Sequence, residues 1–371
     1  MTQQEYRPAK KTTAAAVLTV AATYGYFLIF AQFGFLKAVV AVAGEGTDAV
    51  KTVMATMGVT GIVGSVLAAK LYQSRLSRVR LLAGFAVCAL AAGLSGPVHA
   101  MGGLHAVALL VGLGTGFTTV TLAASLRRAV GGRRLGTIIG AGTGLAYGLC
   151  NLPPAFAASA SAQAGLGLLA ATAGMAGALV LAFDAPPHVP EGFDYSLAGR
   201  WVWTLVFLAL VGLDSAGFNI IQHTPALKGE TWSGAGRLEA NAAMHVIAAV
   251  LAGFALDRRW LGRTVAVAAL ALLTACWMID ESAHKLAEGA LLYTAGVSIY
   301  STAFVFYPAR SLRPGLAAFF YGAAGWGGSA LGIGWAEGRH LLPHGVIVAV
   351  GAAILGGLLV RRFFHRRELV A

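Results

Sequence analysis

The sequence predicts an all-α membrane protein of about twelve transmembrane helices, arranged as two pseudo-symmetric six-helix bundles. Only 11% of the 371 residues are charged, against roughly 25% in an ordinary soluble domain, and the mean hydropathy is +0.73. Apolar stretches of at least about 18 residues recur along the chain, and each is long enough to cross a hydrocarbon core of about 30 Å. The alternating segments of a membrane β-barrel are not visible in the sequence, so helices are the remaining prediction.

The apolar stretches form two sets of six, separated by one longer connection. The first stretch follows a basic tail and is far longer than the apolar part of a signal peptide, so we interpret it as a retained helix. The proline-rich connection at 184–199 is the predicted linker between a bundle over 1–183 and a bundle over 200–371, each with a short basic cytoplasmic tail. The predicted helices cover 13–42, 48–73, 80–97, 101–126, 135–160, 163–183, 199–225, 236–256, 263–279, 286–308, 313–336 and 342–362.

The distribution of Lys and Arg predicts the orientation. With the N-terminus placed in the cytoplasm, twenty of the 27 basic residues fall in cytoplasmic tails and loops and five on the opposite side. Cytoplasmic loops of membrane proteins carry this excess, and it is attracted to anionic lipid. We therefore expect a multi-pass protein of a bacterial-type inner (plasma) membrane with both termini in the cytoplasm. The net charge of +12 is explained by this topology and the lipid bilayer, without a nucleic-acid partner.

The two halves also share local sequence features. The second and eighth segments both run into short basic loops, at 70–78 and 253–263. The fifth and eleventh segments both begin with Arg-x-Gly, ending at Gly136 and Gly315, and then become glycine-rich. Six-helix repeats of this kind are typical of secondary transporters that move one half against the other.

The loop after the eighth segment resembles the most specific motif of the major facilitator superfamily, approximately Gly-x-x-x-Asp-Arg-x-Gly-Arg-Arg. Gly253, Asp257, Arg258 and Arg263 match this motif, with one extra residue before the second glycine. The resemblance implies a twelve-helix secondary transporter. It also implies that Asp257 pairs with a neighbouring helix end while the arginines hold cytoplasmic helix ends together, as a conformational latch.

Three features depart from the family pattern. Gln73 stands where the acid of the first-half loop belongs, which predicts a weaker latch on that side. Ala108 stands where proton-driven drug exporters of the family carry an arginine. The fifth segment resembles the family's antiporter motif only weakly, so we interpret its glycines, four residues apart, as helix-packing residues. These glycines are Gly140, Gly144 and Gly148.

Ionisable residues inside the membrane are expensive and are functional candidates by default. Asp214 lies near the centre of the seventh segment, and Asn219, Gln222 and His223 follow it on a broad face of the same helix. The resemblance places helices one, four, seven and ten around the central cavity. We expect Asp214 to carry a proton during the cycle, or alternatively to pair structurally with another helix.

Further candidates for the substrate and proton pathway lie on other helices. Lys37, near the outer end of the first segment, is expected to pair with the helix of Asp214, to attract an anionic solute, or to reach the outer interface. The remaining candidates are polar or amphipathic side chains of the first, eighth and tenth segments. They are Gln32, Asn241, His245, Tyr300 and Tyr307.

The histidines leave a second hypothesis open. Imidazole suits transition metals, and six of the nine histidines fall near the predicted outer side. None has a metal-ligand spacing, so no metal residue is assigned and no cofactor is expected. These histidines are His99, His105, His223, His284, His340 and His344.

We therefore predict a secondary active transporter that moves a small polar or amphipathic solute by alternating access, coupled to protons. One alternative keeps the fold but makes the cargo a transition metal or its chelate. The other is a transporter-like scaffold or assembly factor in a larger membrane complex. Enzyme motifs are not visible at usable spacing. We expect a monomer, and partner proteins remain an open alternative.

Overall fold

A computed structural model describes residues 8–45, 47–183, 197–281 and 286–368. Twelve long helices are present in this part of the chain, which agrees with the predicted number. The first half contains α1 Lys10–Ala43, α2 Asp48–Lys70, α3 Ser77–Ser95, α4 Met101–Val130, α5 Leu135–Asn151 and α6 Ala160–Val180. The second half contains α7 Leu197–His223, α8 Ala235–Asp257, α9 Leu261–Glu281, α10 Leu286–Ser311, α11 Pro314–Ala336 and α12 His344–Glu368.

Within the described residues, ten of these helices are long and apolar enough to cross a membrane. The apolar part of α12, His344–Val360, is shorter, and α5 has only 17 residues. The prediction that the fifth helix continues to residue 160 is wrong. Leu152 is extended because a residue before proline is driven out of the helical region, and a short helix, Pro153–Phe156, follows.

The packing of the two halves follows the same scheme. In the first half α1 packs against α5 and α6, α4 packs against α2 and α3, and α3 packs against α6. In the second half α7 packs against α11 and α12, α10 packs against α8 and α9, and α9 packs against α12. Each pair in one half thus has its counterpart in the other. This correspondence is the pseudo-symmetry that the sequence predicts. The linker stays a prediction, because residues 184–196 lie outside the described part.

Two seams join the halves, one between α5 and α8 and the other between α2 and α11. At the first seam, successive glycines of α5 face the backbone of α8: Gly140 lies against the Ala249 carbonyl, and Gly144 against Ala249 and Val246. A Cβ atom at Gly148 would lie 2.8 Å from a methyl group of Val246. The glycine spacing therefore serves close helix packing, as the sequence predicts.

At this seam, the stability change caused by adding one methyl group to a glycine should depend strongly on which glycine is changed. We expect Gly140→Ala to destabilise the protein by about 1–3 kcal/mol, because the added carbon would overlap the Ala249 carbonyl and force the helices apart. The measurement is the apparent melting temperature of purified protein in detergent. Gly236→Ala on α8 is the matched control, since a Cβ there meets nothing within 4 Å. An equal melting temperature for both variants would contradict the packing argument.

Candidate functional site

Helix α7 places a carboxylate in the interior of the helix bundle. The Tyr293 hydroxyl donates to Asp214 Oδ1 at 2.5 Å and to the Asp214 backbone carbonyl oxygen at 2.8 Å. The Tyr300 hydroxyl donates to the other carboxylate oxygen, Oδ2. Both tyrosines belong to α10. In the described part of the chain, hydroxyl groups are the only side-chain partners of this carboxylate, and none of its partners is basic. One hydroxyl group thus contacts each oxygen of this carboxyl group.

Asp214 borders an internal space. Asp214, Tyr24 and Tyr147 each contact a side chain of another helix in the bundle, yet each is only half-buried and keeps some accessible surface. Accessible surface on such interior side chains indicates a gap in the packing beside them. The three residues belong to α7, α1 and α5, so this gap lies where the two halves meet.

A second set of polar groups joins α5, α8 and α10. The Tyr147 ring stacks on the His245 ring with centroids 4.9 Å apart. His245 Nδ1 forms a hydrogen bond with Ser298 Oγ at 2.6 Å, and the Tyr147 hydroxyl bonds to Ser301 Oγ at 3.0 Å. We call these four residues the α5–α10 cluster. It crosses from the first half to the second and fixes the orientation of both rings beside the internal gap.

Helices α1 and α11 meet through aromatic side chains at places where both helices widen. A π-helical stretch, Tyr26–Gly34, interrupts α1, and another, Tyr321–Gly327, interrupts α11. The Tyr24 hydroxyl lies 3.2 Å from the Tyr321 hydroxyl, and the rings of Phe27 and Trp326 make an edge contact at 6.0 Å. π-Helical turns are frequent at functional sites. Their position here gives α1 and α11 irregular backbone beside the internal gap.

The other candidates on α7 do not form one polar face. His223 is exposed, and its ring bonds to the Asn219 backbone carbonyl at 2.8 Å. Asn219 and Gln222 are half-buried. Asp214 turns instead towards α10, so the structure brings it together with Tyr300 but not with His223.

Lys37 does not pair with Asp214. Its ammonium group donates to the carbonyl oxygens of Ala158 at 2.9 Å and Phe156 at 3.5 Å. These carbonyls follow α5 in the same half, so Lys37 binds the end of the short helix there. Gln32 is half-buried in the π-helical stretch of α1.

The structure separates the remaining candidates of α8 and α10. Asn241 is buried, donates to the Thr231 carbonyl at 3.2 Å and accepts from Thr294 at 3.4 Å, which ties α8 to α10. Tyr307 is also buried, but it packs between the rings of Trp203 and Phe320. It therefore lies in an aromatic layer that is separate from the contacts of Asp214.

Asp257 links the two halves. It lies at the end of α8, and its carboxylate accepts from the backbone N–H groups of Gly136 at 2.7 Å and Thr137 at 2.9 Å. The Thr137 hydroxyl donates to the same carboxylate at 2.6 Å. These are the first residues of α5, where unpaired N–H groups and the helix dipole favour an anion. Gly253 lies one turn earlier and packs against Gly136, so no side chain separates the two helices.

The arginines of this loop are placed differently from the expectation. The guanidinium groups of Arg258 and Arg263 lie 6.0 and 5.4 Å from the centre of the Trp260 ring, and all three side chains are exposed. They therefore stack on the loop's own tryptophan instead of holding helix ends together. The extra residue in the motif is accommodated by Arg259, whose φ of 64° is in the left-handed region.

The corresponding loop of the first half makes a different contact. Gln73 is exposed, and the neighbouring Tyr72 donates to the Ala124 carbonyl at 3.0 Å within its own half. Burial raises the pKa of Tyr72, which keeps this hydroxyl protonated as a donor. At the same end of the bundle, buried Arg127 of α4 donates to the Arg310 carbonyl of α10 at 2.8 Å. We call this end, marked by Arg127, Arg258 and Arg310, the arginine-rich end.

Four aromatic rings join the halves at the opposite end. Phe33 lies 5.6 Å from Phe156 and 5.7 Å from Phe218. Trp232 lies 6.5 Å from Phe156 and 5.1 Å from Phe218. We call these residues the four-ring cluster. Two rings come from each half, and the contacts form a closed cycle across the space between α1 and α7.

Sequence reasoning missed Tyr147, Tyr293 and Ser298. A tyrosine or serine in a membrane helix is commonly a packing or interface residue, so its type alone carries little information. The available signal was the spacing of Tyr293 and Tyr300, which are two turns apart on one face of α10. That spacing suits two donors to one acceptor, but only the packing of α7 supplies the acceptor.

The histidines are dispersed. Within the described residues, no three His, Cys, Asp or Glu side chains come together as a metal site. His105 bonds to Thr56 at 3.0 Å, His344 stacks on Trp277 at 4.2 Å, and His284 lies outside the described residues. The three cysteines are buried. The structure thus gives the metal hypothesis no assembled ligand set.

Two solved structures share this architecture over nearly the whole chain. The crystal structure of the human organic anion transporter MFSD10 (TETRAN) matches with a TM-score of 0.64 and 13% identity, covering 95% of this chain and 99% of that one. The chain has the major facilitator fold. A major facilitator superfamily transporter, FucP, in its outward conformation, matches with a TM-score of 0.62, 12% identity and the same coverage. At these identities the likeness shows the fold alone. No protein-family model and no curated protein matches the sequence.

The major facilitator fold confirms the fold predicted from the sequence. The chain is a multi-pass, all-helical membrane protein, and both of these neighbours are transporters. The contact of Asp257 with the start of α5 bridges the two halves of this fold.

Proposed function

We propose that the protein is a secondary transporter that moves a small polar or amphipathic solute across the membrane by alternating access. One observation carries the proposal: Asp214 lies deep in a major facilitator fold, beside a gap between the halves, and hydroxyl groups are its only side-chain partners in the described chain. An intramembrane carboxylate without a cationic partner is costly, and such groups mark ion and substrate pathways.

Closure at both ends supports alternating access. Asp257 and Arg127 join the halves at the arginine-rich end, and the four-ring cluster joins them at the opposite end. Transport requires these two sets of contacts to release in turn, while the helices within each half keep their packing. The glycine-lined α5–α8 seam permits such movement because it presents few side chains that interlock.

The four-ring cluster predicts a measurable gate. We expect Trp232→Ala to increase the alkylation rate of Cys150 by about tenfold, because the variant loses two aromatic contacts that hold the cluster closed. Cys150 is buried in the hydrophobic cluster against which Phe33 packs. The measurement uses a membrane-impermeant maleimide added from the side of the cluster, with Cys88 and Cys276 replaced by alanine.

Trp277→Ala is the matched control for this experiment. Trp277 stacks on His344 instead of contacting the cluster, so its removal leaves Cys150 protected. Equal alkylation rates in the two variants would count against a gate at this position.

We further propose that Asp214 carries a proton during transport. The test begins with a thermal-shift screen over ions, sugars, amino acids, amines and metal chelates, because a ligand stabilises the state that it binds. A solute that raises the melting temperature is then added to proteoliposomes that contain a pH-sensitive dye. Solute-driven proton movement is expected for the natural protein. Solute uptake without any proton movement would remove the coupling claim and leave the transport claim standing.

Orientation and location follow from the charge distribution. We propose that the arginine-rich end faces the cytoplasm of a bacterial-type inner membrane, because basic residues concentrate in its loops. Protease accessibility of these loops in right-side-out vesicles tests the orientation, and cleavage from outside would contradict it.

A scaffold within a larger membrane complex is the second candidate. It is favoured by Gln73, which stands exposed where an acid would latch the first half to α11. Stoichiometric partner proteins in the purified material, together with no change in Cys150 alkylation for any solute, would support the scaffold against the transporter.

A further inference from the structure

We propose that the internal gap beside Asp214 binds an organic cation: an amine or ammonium group on a small apolar body, with Asp214 as its counter-ion. The inference deepens the proposed transport function and rests on it.

The ionisable group at the centre of the bundle is an acid. Asp214 accepts hydroxyl hydrogen bonds on both carboxylate oxygens, and among the described residues no cation pairs with it. His245 is bonded to Ser298 and stacked on Tyr147, so its ring is engaged within the α5–α10 cluster. A cationic solute would complete the ion pair that the helices around the gap leave open.

The basic side chains of the neighbouring helices are engaged elsewhere. Lys37 lies one turn of α1 beyond Phe33 of the four-ring cluster, and its ammonium group donates to the carbonyl oxygens of Phe156 and Ala158. Arg127 and Arg310 lie in the last turns of α4 and α10, and Arg127 is bound across the halves. Each of these cations is therefore confined to an end of the bundle.

The walls of the gap suit a cation with an apolar body. Tyr300 and Tyr293 bind the carboxylate, Tyr147 lies within electrostatic range of it, and Tyr24 and Tyr321 contact each other nearby. The faces of such rings carry negative potential and attract ammonium groups at centroid distances up to about 6 Å. Tyrosine hydroxyls also shift easily between the carboxylate and a bound donor, because each can donate and accept.

Other solute classes fit less well. An anion would enter beside an uncompensated carboxylate, and in a low-dielectric site like charges repel strongly. A neutral solute could use the hydroxyl groups but would leave the charge of Asp214 unpaired. The observations therefore favour a cation over the anionic and neutral alternatives, which become outcomes of the test.

The experiment compares three ligands with the same aromatic body and different charges. These are 2-phenylethylamine, 2-phenylethanol and phenylacetate, tested on the purified full-length protein by thermal shift and by quenching of tryptophan fluorescence. We expect the amine to bind at least about tenfold more tightly than the alcohol, and phenylacetate to bind most weakly. Phenyltrimethylammonium has no proton to give and is also expected to bind. Its binding therefore separates cation recognition from proton transfer.

Asp214→Asn is expected to abolish the preference for the amine. Glu230→Gln is the matched control, since it removes a carboxylate from an exposed ion pair with Arg237 and should keep the preference. Binding of the alcohol or of phenylacetate as tight as that of the amine overturns the inference, and so does the absence of amine binding. If the natural protein instead takes up a neutral or anionic solute, the transport function stands and the cation inference fails. The ligand comparison on the natural protein decides the matter even if Asp214→Asn does not fold.

Discussion

Asp214→Asn should reduce uptake of the transported solute by about 100-fold. The amide has nearly the shape of the carboxylate but no charge, and it offers only one good acceptor to the Tyr293 and Tyr300 hydroxyls. Removing one member of a buried charged hydrogen-bonded site typically costs about 2–5 kcal/mol, which corresponds to a factor between about 30 and several thousand. Initial uptake rates in proteoliposomes measure the effect. The solute used is the one that the thermal-shift screen identifies.

Two further variants separate a transport role from a structural one. Tyr293→Phe and Tyr300→Phe each remove one donor and leave the carboxylate in place, so we expect intermediate losses of uptake, roughly tenfold each. If Asp214 only ties α7 to α10, all three substitutions will lower the melting temperature in proportion to the loss of uptake. Normal uptake by Asp214→Asn at an unchanged melting temperature would remove Asp214 from the pathway.

Asp257→Asn should open the arginine-rich end. The carboxylate accepts three hydrogen bonds from the start of α5, two of them from backbone N–H groups at a helix N-terminus. Hydrogen bonds to a charged group contribute about 1.5–3 kcal/mol, and the loss of the charge also removes its interaction with the helix dipole. We therefore expect the population open at this end to rise by about 10- to 100-fold. Distance measurements between spin labels at Arg134→Cys and Arg263→Cys, both exposed positions in opposite halves, report the separation.

Thr137→Val and Asp48→Asn calibrate this result. Thr137→Val removes one of the three bonds and should give a smaller shift in the same direction. Asp48→Asn removes a carboxylate that is 95% exposed and paired with Lys51, so the distance distribution should stay as in the natural protein. An Asp257→Asn distribution identical to that of Asp48→Asn would show that this contact does not hold the halves together.

The candidate site could be found from the sequence only in part. Asp214 stands out because a carboxylate in an apolar helix is rare and costly, and that property is visible without any partner. Tyr293 and Tyr147 carry no such signal, since tyrosine is common in membrane helices for other reasons. The role of Lys37 is also not determined by the sequence. A long cationic side chain near a helix end reaches either lipid headgroups or protein carbonyls, and only the folded chain offers the carbonyls of Phe156 and Ala158.

The contacts of the loop after α8 are also predictable from the sequence only in part. Its residues resemble a motif in which Asp257 binds a helix end, and the structure places Asp257 on the first N–H groups of α5. The resemblance predicts that the arginines hold cytoplasmic helix ends together. In the structure both guanidinium groups lie against the Trp260 ring instead. The extra residue of the loop turns the chain through the left-handed conformation of Arg259, and this local geometry redirects the side chains.

The sequence by itself determined the membrane character, the number of helices, the asymmetry of basic charge and the acid in α7, because hydropathy and charge are properties of local segments. It also predicted that the glycines of α5 serve close packing. Only the tertiary structure decided that α8 is their partner, that Asp214 meets two tyrosines of α10, and that four rings close one end. These contacts join residues that are distant along the chain. They depend on how whole helices pack and rotate against one another, which no segment determines alone.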